Sequence, residues 1–509
     1  MYRFSFVSLV FLVLFCGSAF AAEQLIELTN GEVLRGELLH LNKGVYTLRL
    51  GNGQRRQVNV DDVVVIKSAQ RQLITERAQK GFMRIAAANV MGERLVPVLL
   101  ERFLDQRHTQ HHDWRATEQG DRSGHFMIIP FDRPGTPKRL ELISEGVDAF
   151  TALNDGADIG ASTKRISRRD MARLISLGDM KSEDAEFVVG LDGIAIVTHP
   201  DNPLNVVSEE LVGLVYQCVV NDWAELGGEP GPIHRYALDT QSSAYELFNK
   251  NVMNRQPLCE DVKQVHSSKE MSAAVAKDKR ALGFVSLSAI GRNKPLAIRE
   301  CDIDFMPTPL SVKMEEYPLI RRLYFYSPIQ QRSTFVEDFL EYTLSEEGQD
   351  IVEEQGFVSL NIRAAADIER ERLLNARIDS AKRNAHDNFL LANFVTTVSQ
   401  SQRLSVTFRF DFASARLDNR AQKDILRLAE LMKTPGYRGK KLLLLGFTDD
   451  QGKYVDNVLL SRARANAVAR QLERLGVSNI EIKGFGQEAP IACNEGRGRA
   501  KNRRVEVWM

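Results

Sequence analysis

The chain has 509 residues, of which 43% are hydrophobic, so it is long enough to bury several separate cores. Its 67 basic residues balance its 67 acidic residues, which leaves no overall field to attract nucleic acid or an acidic membrane surface. A single domain and a nucleic-acid partner are therefore both disfavoured, and recognition must depend on local groups.

Residues 1–21 predict a secretory signal peptide. Arg3 precedes an apolar run at residues 4–15, and Ala19-Phe-Ala21 provides a small-residue cleavage site. The run is too short for a membrane span, and no later segment is apolar over 18 residues. Lipidation at Cys16 is disfavoured because a large residue precedes it. We expect a mature chain without a transmembrane segment, located in the periplasm beside the cell wall and outer membrane.

Residues 22–70 predict a small β-barrel of SH3-like or Sm-like kind. Short alternating strands are separated by turn signals at Asn30-Gly31 and at Gly51-Asn-Gly53. Two roles stay open for this domain, an interaction module and a stabilising cap.

Residues 80–360 alternate strand and helix patterns, as α/β domains do. The pattern is carried by residues 84–97, 155–162, 190–204, 221–223, 236–248, 281–286 and 317–319. Together these segments resemble the phosphate-type solute-binding proteins of ABC importers, the PstS-like family. The resemblance implies two α/β lobes that close on an anion, with an ABC importer or another envelope protein as partner.

The resemblance also implies a solute site between the lobes. Its residues would be Ala88, Asn89, Val90, Asp158, Ser162, Asp192, Ser242 and Ser243. This sequence departs from the family pattern where the anion should be touched. Relatives carry Gly-Ser-Asn-Thr in the first loop, where this chain has Ala87-Ala-Asn-Val90, and they carry an arginine at the position of Leu238. A guanidinium bond to an oxyanion contributes about 1.5–3 kcal/mol, so neutralising a dianion here needs another cation.

Three interpretations of the lobes stay open. Phosphate binds, with Arg165, His234 or Arg235 in the role of the missing arginine; another small solute or anion binds; or the lobes bind no small ligand and serve as a partner surface. Asp158 would still be able to accept a ligand proton.

No motif supports catalysis, a metal or a cofactor. The stretch from His108 to Asp113 contains three histidines, but it is polar and has no second cluster at metal-site spacing, so a solvated loop is favoured. Paired acids such as Glu315-Glu316 and Asp449-Asp450 are common on surfaces. We therefore predict a binding protein and not an enzyme.

Residues 361–400 predict a helical linker, because residues 364–388 are rich in Ala, Arg, Glu and Leu and lack Pro and Gly. Such a helix would act as a semi-rigid spacer.

The last segment, residues 401–509, contains a buried strand that ends in an acid at Asp449. A helix follows, with Ser461 as its predicted cap and Arg464 one turn later. Acid and guanidinium would then face one crevice.

These residues resemble the C-terminal domain of OmpA and of the peptidoglycan-associated lipoprotein. The matching motifs are Gly446-Phe-Thr-Asp449, Asn457, Leu460-Ser461, Arg464-Ala465, Gly484-Phe-Gly486, Pro490 and Asn502-Arg-Arg-Val-Glu506. The resemblance implies that Asp449 and Arg464 hold the diaminopimelate residue of peptidoglycan. That residue carries an ammonium and a carboxylate on one carbon, which an acid and a forked guanidinium match pairwise.

Other contacts in this domain are less determined by the sequence. Asn457 and Arg503 are assigned to the same site, although Arg503 has an alternative role as a solubilising residue on a terminal edge strand. Ala413 stands where a polar contact residue is expected. Asp449 and Arg464 have the alternative of pairing only with each other.

Four cysteines remain after the signal peptide: Cys218, Cys259, Cys301 and Cys493. Spacing does not choose among the three possible pairings. If any pair forms, a disulfide among the first three is favoured because they share a domain, and we expect Cys493 to be a free thiol.

The fold class is thus multidomain: an SH3/Sm-like barrel, a two-lobed α/β periplasmic-binding-protein fold, a helical linker and an α/β OmpA-like domain. The predicted function is non-catalytic binding of peptidoglycan, combined with binding of phosphate or another small anion. The alternative is an envelope scaffold or adaptor whose lobes bind a protein partner.

Overall fold

A computed structural model describes residues 24–509, except 29–31, 43–44, 60–62, 69–81, 88–89, 108–112, 120–121, 130–138, 145–147, 241, 302, 366–387, 411–416 and 497. The predicted signal peptide, Ala88, Asn89, the three histidines, Ala413 and most of the predicted spacer helix therefore lie outside the described residues.

The strands are β1 Gln24–Leu28, β2 Val33–Asn42, β3 Val45–Leu50, β4 Arg55–Asn59, β5 Val63–Ser68, β6 Phe82–Ala87, β7 Arg115–Gln119, β8 Arg122–Ile128, β9 Arg139–Ile143, β10 Ile159–Ser162, β11 Glu186–Thr198, β12 Val206–Ser208, β13 His234–Leu238, β14 Lys263–Val265, β15 Ala281–Ser286, β16 Lys294–Pro295, β17 Ala297–Glu300, β18 Ile303–Phe305, β19 Ile320–Tyr326, β20 Arg403–Arg409, β21 Leu442–Gly446, β22 Ile480–Gly484 and β23 Arg504–Trp508.

The α-helices are α1 Val96–Gln106, α2 Ala149–Asn154, α3 Arg168–Arg173, α4 Glu209–Tyr216, α5 Ser243–Asn251, α6 Ser268–Val275, α7 Pro309–Lys313, α8 Thr334–Leu344, α9 Glu346–Glu354, α10 Asn388–Ser399, α11 Asn419–Lys433, α12 Tyr454–Arg474 and α13 Gly498–Asn502. A π-helical turn, Met91–Leu95, leads into α1. Within the described parts of the chain, no helix is long and apolar enough to cross a membrane.

The chain divides into two compact units. The first comprises Met1–Lys80 with Arg168–Gly178, and the second comprises Gly81–Ser167 with Asp179–Met509. In the first unit, five antiparallel strands are ordered β4-β3-β2-β1-β5 over a small core that includes Ile26 and Leu48. Ile175, from the inserted segment, packs on that core. Pairing of β4 with β5, which would close a barrel, is not among the described strand pairs, so the SH3/Sm-like barrel stays a prediction.

The second unit begins with a central module of two α/β lobes. Its main sheet has the order β14-β13-β15-β11-β19-β10-β6-β9-β8-β7. Strand β11 is buried along its whole length and belongs to both lobes, since Glu186–Gly193 pairs with β19 and Ile194–Thr198 pairs with β15. The predicted two-lobed α/β fold is confirmed.

The C-terminal module has a four-stranded sheet with the order β20-β23-β21-β22. Strand β23 therefore lies inside the sheet, between β20 and β21, and the prediction of a terminal edge strand is wrong. Helices α11 and α12 pack on one core, which contains Leu428, Val468 and Val507. Helix α10 adds Phe394 to a second cluster with Phe447, so residues within the predicted linker range pack against this sheet.

A buried charge cluster joins the two modules of the second unit. Glu315 of the central module accepts a hydrogen bond from Arg322 Nη2 at 2.9 Å. Two arginines of the C-terminal module approach the same carboxylate, Arg420 Nη1 at 2.6 Å and Arg409 Nε at 3.3 Å. Burial alone would raise the pKa of Glu315, but Arg322 and Arg420 outweigh it and hold that pKa well below its usual range. We call Glu315, Arg322, Arg409 and Arg420 the junction cluster.

The neighbouring acid is also buried. Arg403 Nη2 lies 2.7 Å from Glu316 Oε1, and each side chain is about 1% exposed. Glu315 and Glu316 are therefore not the common surface acids that the sequence indicates. Removing one partner of such a buried pair leaves an uncompensated charge, so both acids tie the modules together.

Two disulfides are present. Cys218 and Cys259 pair within the central module, in agreement with the preference for the first three cysteines. Cys301 of the central module pairs with Cys493 of the C-terminal module, across 192 residues of sequence. The interpretation of Cys493 as a free thiol is therefore wrong, because folding brings together two loops that no sequence spacing relates.

Candidate functional site

The C-terminal site is built where β21 ends and α12 begins. All five residues of β21 are apolar and buried. The chain then leaves the sheet through Phe447 and Thr448 to Asp449, which is 4% exposed. Helix α12 starts at Tyr454, with Lys453 before it, so Ser461 is an interior residue and the predicted cap is wrong.

Ser461 instead packs the helix against the sheet. Its Oγ accepts a hydrogen bond from Gly486 N at 3.0 Å. A Cβ at Gly446 would lie 1.9 Å from Ser461 O, and one at Gly484 would lie 2.6 Å from Arg462 N. Glycine is therefore required at both positions, because the helix backbone takes the space of a side chain. This close approach sets the distance between Asp449 on the loop and Arg464 on the helix.

Four predicted residues meet here, and we call Asp449, Asn457, Arg464 and Arg503 the C-terminal site. Asp449 Oδ2 accepts a hydrogen bond from Arg503 Nη1 at 2.8 Å. Asn457 Nδ2 donates to the main-chain oxygen of Asp449 at 3.3 Å and to Gln487 Oε1 at 3.0 Å. The guanidinium thus holds the carboxylate of Asp449, and the amide holds its backbone.

Arg464 completes the site from α12. It is 1% exposed, its Nη1 donates to Phe447 O at 3.4 Å, and its guanidinium lies 5.5 Å from the centre of the Phe410 ring. Burial and the neighbouring Arg503 together lower the pKa of Arg464 to about 10, against the opposing effect of Asp449. The group stays cationic at neutral pH. The site therefore holds two guanidinium groups and one carboxylate, an excess of one positive charge, and two of these three groups are buried.

Sequence reasoning missed Thr448. Its Oγ1 is buried and has no hydrogen-bond partner among the described residues, although a buried hydroxyl usually has one. The signal was available, since Thr448 belongs to the Gly446-Phe-Thr-Asp449 motif.

The second candidate site is a cavity of about 1380 Å³ in the central module, which we call the lobe cleft. Val90 and Ser242 line it, as the sequence predicts. Ser242 caps α5 by accepting a hydrogen bond from Tyr245 N at 3.1 Å, and Ser243 is the first residue of that helix.

Three other predicted cleft residues accept hydrogen bonds from groups of the protein itself. Asp158 Oδ2 accepts from Arg84 N at 2.7 Å, and Ser162 Oγ accepts from Lys164 N at 3.1 Å. Neither is among the described residues that line the lobe cleft. Asp192 accepts a hydrogen bond from Arg321 Nε at 3.0 Å, and Arg321 does line the cleft.

The three proposed substitutes for the missing arginine are used elsewhere. Arg165 Nη2 contacts Glu186 at 2.8 Å, and His234 Nδ1 lies 2.9 Å from Asp278. Arg235 is buried, and its Nη2 donates to Val220 O at 2.8 Å. None of the three appears among the described lining residues of the lobe cleft. The cations that do line it are Arg94, Lys269, Arg292 and Arg321, which sequence reasoning missed because they come from separate elements.

Comparison with known proteins agrees with the division into a central module and a C-terminal module. Residues 409–504 match the model of the OmpA family, and residues 144–347 match the model of a PBP superfamily domain. The chain joins a PBP superfamily domain to an OmpA family domain. The PBP superfamily part is 22% identical over 204 residues to the phosphate-binding protein PstS of Borreliella burgdorferi, which covers 38% of this chain and 71% of that protein.

The OmpA family part is 35% identical over 108 residues to the peptidoglycan-associated lipoprotein of Pseudomonas putida, which covers 21% of this chain and 63% of that protein. The chain thus spans less than two thirds of that relative. A crystal structure of an ABC-type phosphate transport receptor from Vibrio cholerae is 17% identical, with a TM-score of 0.43, and covers 54% of this chain and 99% of that one.

Proposed function

We propose that this protein is a non-catalytic component of the bacterial envelope that binds peptidoglycan through the C-terminal site. The observation that carries the proposal is the convergence of Asp449, Asn457, Arg464 and Arg503 at the end of β21. The similarity to a peptidoglycan-associated lipoprotein supports it.

In this proposal the ligand is the diaminopimelate residue of the stem peptide. Arg464 pairs with the ligand carboxylate through its fork, and Asp449 accepts hydrogen bonds from the ligand ammonium. Arg503 holds the Asp449 carboxylate in place and compensates its charge when no ligand is bound. The excess positive charge favours a ligand that brings a carboxylate, so a stem peptide with lysine in place of diaminopimelate should bind less well.

The test measures binding of the purified full chain to diaminopimelate-type and lysine-type muropeptides, and its sedimentation with isolated sacculi. Arg464→Met should weaken binding of the diaminopimelate type about 10- to 150-fold, the equivalent of one lost charge-assisted hydrogen bond. The matched control is Arg470→Met, the same change at an exposed position of α12. Equal binding by both variants, or equal binding of both muropeptides by the native chain, would contradict the proposed site.

For the central module we propose binding of a phosphate-type anion in the lobe cleft. The specific observation is Arg321, which lines the cleft with its guanidinium oriented by Asp192. Location in the periplasm and supply of an ABC importer belong to this proposal. The PstS relative supports it.

Calorimetric titration with phosphate, sulfate and a panel of small anions tests this second function. Arg321→Lys keeps the charge but loses the fork, so it should weaken anion binding about 10-fold. Arg470→Met again provides the control. A flat response of the native chain to the whole panel would instead favour the adaptor alternative, in which the lobes bind a protein partner.

A further inference from the structure

A separate cavity of about 610 Å³ lies at the junction of the two modules, and we call it the junction cavity. Its walls come from α7, from residues 356–365 and from Ser405 of β20. Most of the lining is apolar, including Ile290, Leu310 and Phe357. Its size falls in the range of pockets that bury a small organic ligand.

One buried cation indicates which kind of ligand this cavity would bind. Lys313, the last residue of α7, lines the junction cavity and is 6% exposed. Its ammonium donates to Asn361 O, and no carboxylate of the described residues forms an ion pair with it. A buried ammonium without an acid partner carries a desolvation cost that one carbonyl oxygen offsets only in part.

The other charged groups limit what can join Lys313. Arg363 and Glu353 also line the junction cavity, 3.1 Å apart, and Ser359 Oγ donates to Glu353 at 2.5 Å. Glu353 disfavours a second negative charge beside Lys313. The polar end of the junction cavity thus accepts one negative charge, and the rest accepts an apolar body.

We propose that the junction cavity binds an organic monocarboxylate with an apolar body, through an ion pair between its carboxylate and Lys313. Nothing in this proposal depends on peptidoglycan or phosphate binding. The source of such a ligand is either a free aliphatic acid or the C-terminal carboxylate of an apolar peptide.

Binding of a carboxylate beside Lys313 should be accompanied by uptake of a proton, which can be measured. Burial, with smaller contributions from Arg420 and Arg363, lowers the pKa of Lys313 to about 7, against the opposing effects of Glu353 and of Asp424 on α11. A bound carboxylate favours the ammonium form, so the pKa rises on binding and a proton is taken up above pH 7. Affinity should therefore fall as the pH rises from 7 to 9.

The experiment is calorimetry on the full chain at pH 8 with octanoate, with its neutral analogue octanamide, and with N-acetylphenylalanine. We expect one carboxylate bound per chain, with proton uptake visible as a dependence of the heat on the ionisation enthalpy of the buffer. The tighter of the two acids identifies the source. Octanamide should bind at least about 10-fold more weakly, because it offers no charge to the ammonium.

Lys313→Met should weaken carboxylate binding at least about 10-fold, whereas Lys277→Met, the same change at an exposed position, should leave it unchanged. The first variant breaks no ion pair of the described residues but loses the hydrogen bond to Asn361 O, so thermal unfolding of both variants is recorded to check that each is folded. Absence of binding by both acids, binding without proton uptake, or equal affinity of native chain and Lys313→Met would overturn the proposal. The proton-uptake measurement needs no variant and so stands even if Lys313→Met does not fold.

Discussion

The C-terminal site and the lobe cleft use charge in different ways. In the C-terminal site Asp449 and Arg464 are buried, and the acid is paired at 2.8 Å with Arg503, which is partly buried. In the lobe cleft the cations line a space of about 1380 Å³, and the arginine expected from the family is Leu238. A compact site can orient its ligand by fixed pairs, whereas a wide one depends on closure of its lobes to exclude water. The comparison shows that a domain can keep its fold while the residues of its binding site change.

The largest effect on stability is expected from breaking the junction cluster, which links the module that carries the lobe cleft to the module that carries the C-terminal site. Glu315→Gln removes the carboxylate that three arginines share, although Arg322 keeps Asp418 and Arg420 keeps Asp424. The change should lower the free energy of unfolding by about 3–5 kcal/mol at pH 7. Because the folded pKa of Glu315 is depressed below its ordinary value of 4.5, this stabilisation is present above that value and is lost as the pH falls through the lower folded pKa. Urea unfolding at pH 7 and pH 3 measures both.

The matched control for that change is Glu430→Gln. Glu430 is 73% exposed and pairs only on the surface of α11, with Lys433, so the loss should be within about 1 kcal/mol. Similar losses for the two variants at pH 7, or a Glu315→Gln deficit that persists unchanged at pH 3, would show that the junction cluster does not hold the modules together.

The next prediction disturbs the compact site without touching its charges. Gly446→Ala places a methyl group against Ser461 O and should push α12 away from β21, at a cost of about 1–3 kcal/mol. Sedimentation with sacculi should fall in parallel. Gly436→Ala, where a Cβ meets no atom within 4 Å, is the control. Unchanged thermal unfolding of Gly446→Ala would mean that the close approach does not set the geometry of the site.

The lobe cleft is tested by restoring what it lacks. Leu238→Arg adds a guanidinium at the family position and should raise phosphate affinity about 10-fold, since part of the gain is offset by burial. Leu238→Met controls for the change in packing. Titration calorimetry measures the phosphate affinity of both variants. An equal gain in affinity for Leu238→Arg and Leu238→Met would show that the added charge is not the cause.

The smallest effect is expected for Arg503→Lys. The ammonium can still pair with Asp449, but it loses the second bond from Arg503 Nε to Phe410 O at 3.3 Å. Muropeptide affinity should fall about three- to five-fold, the equivalent of a neutral hydrogen bond of about 1 kcal/mol. A loss as large as that of Arg464→Met would assign Arg503 to direct ligand contact instead of positioning.

The C-terminal site was predictable because its residues lie in one short segment of contiguous motifs. Asp449 ends an apolar run, and Arg464 follows on a helix with clear periodicity. The role of Ser461 was not predictable, because it depends on the close packing of α12 against the sheet at Gly446 and Gly484. The pairing of Cys301 with Cys493 and the cluster around Glu315 depend on contacts between modules, which no local pattern encodes. Arg321 escaped notice for the same reason, as it reaches the lobe cleft from a strand far along the chain.

The place of β23 in the C-terminal sheet has a consequence for biogenesis. Residues 504–508 fill the gap between β20 and β21, and neither of those strands pairs with the other among the described residues. The sheet cannot assemble while residue 508 is still inside the ribosome or a translocation channel. The convergence of Asp449, Arg464 and Arg503 must therefore wait until residues 504–508 are free to enter the sheet between β20 and β21.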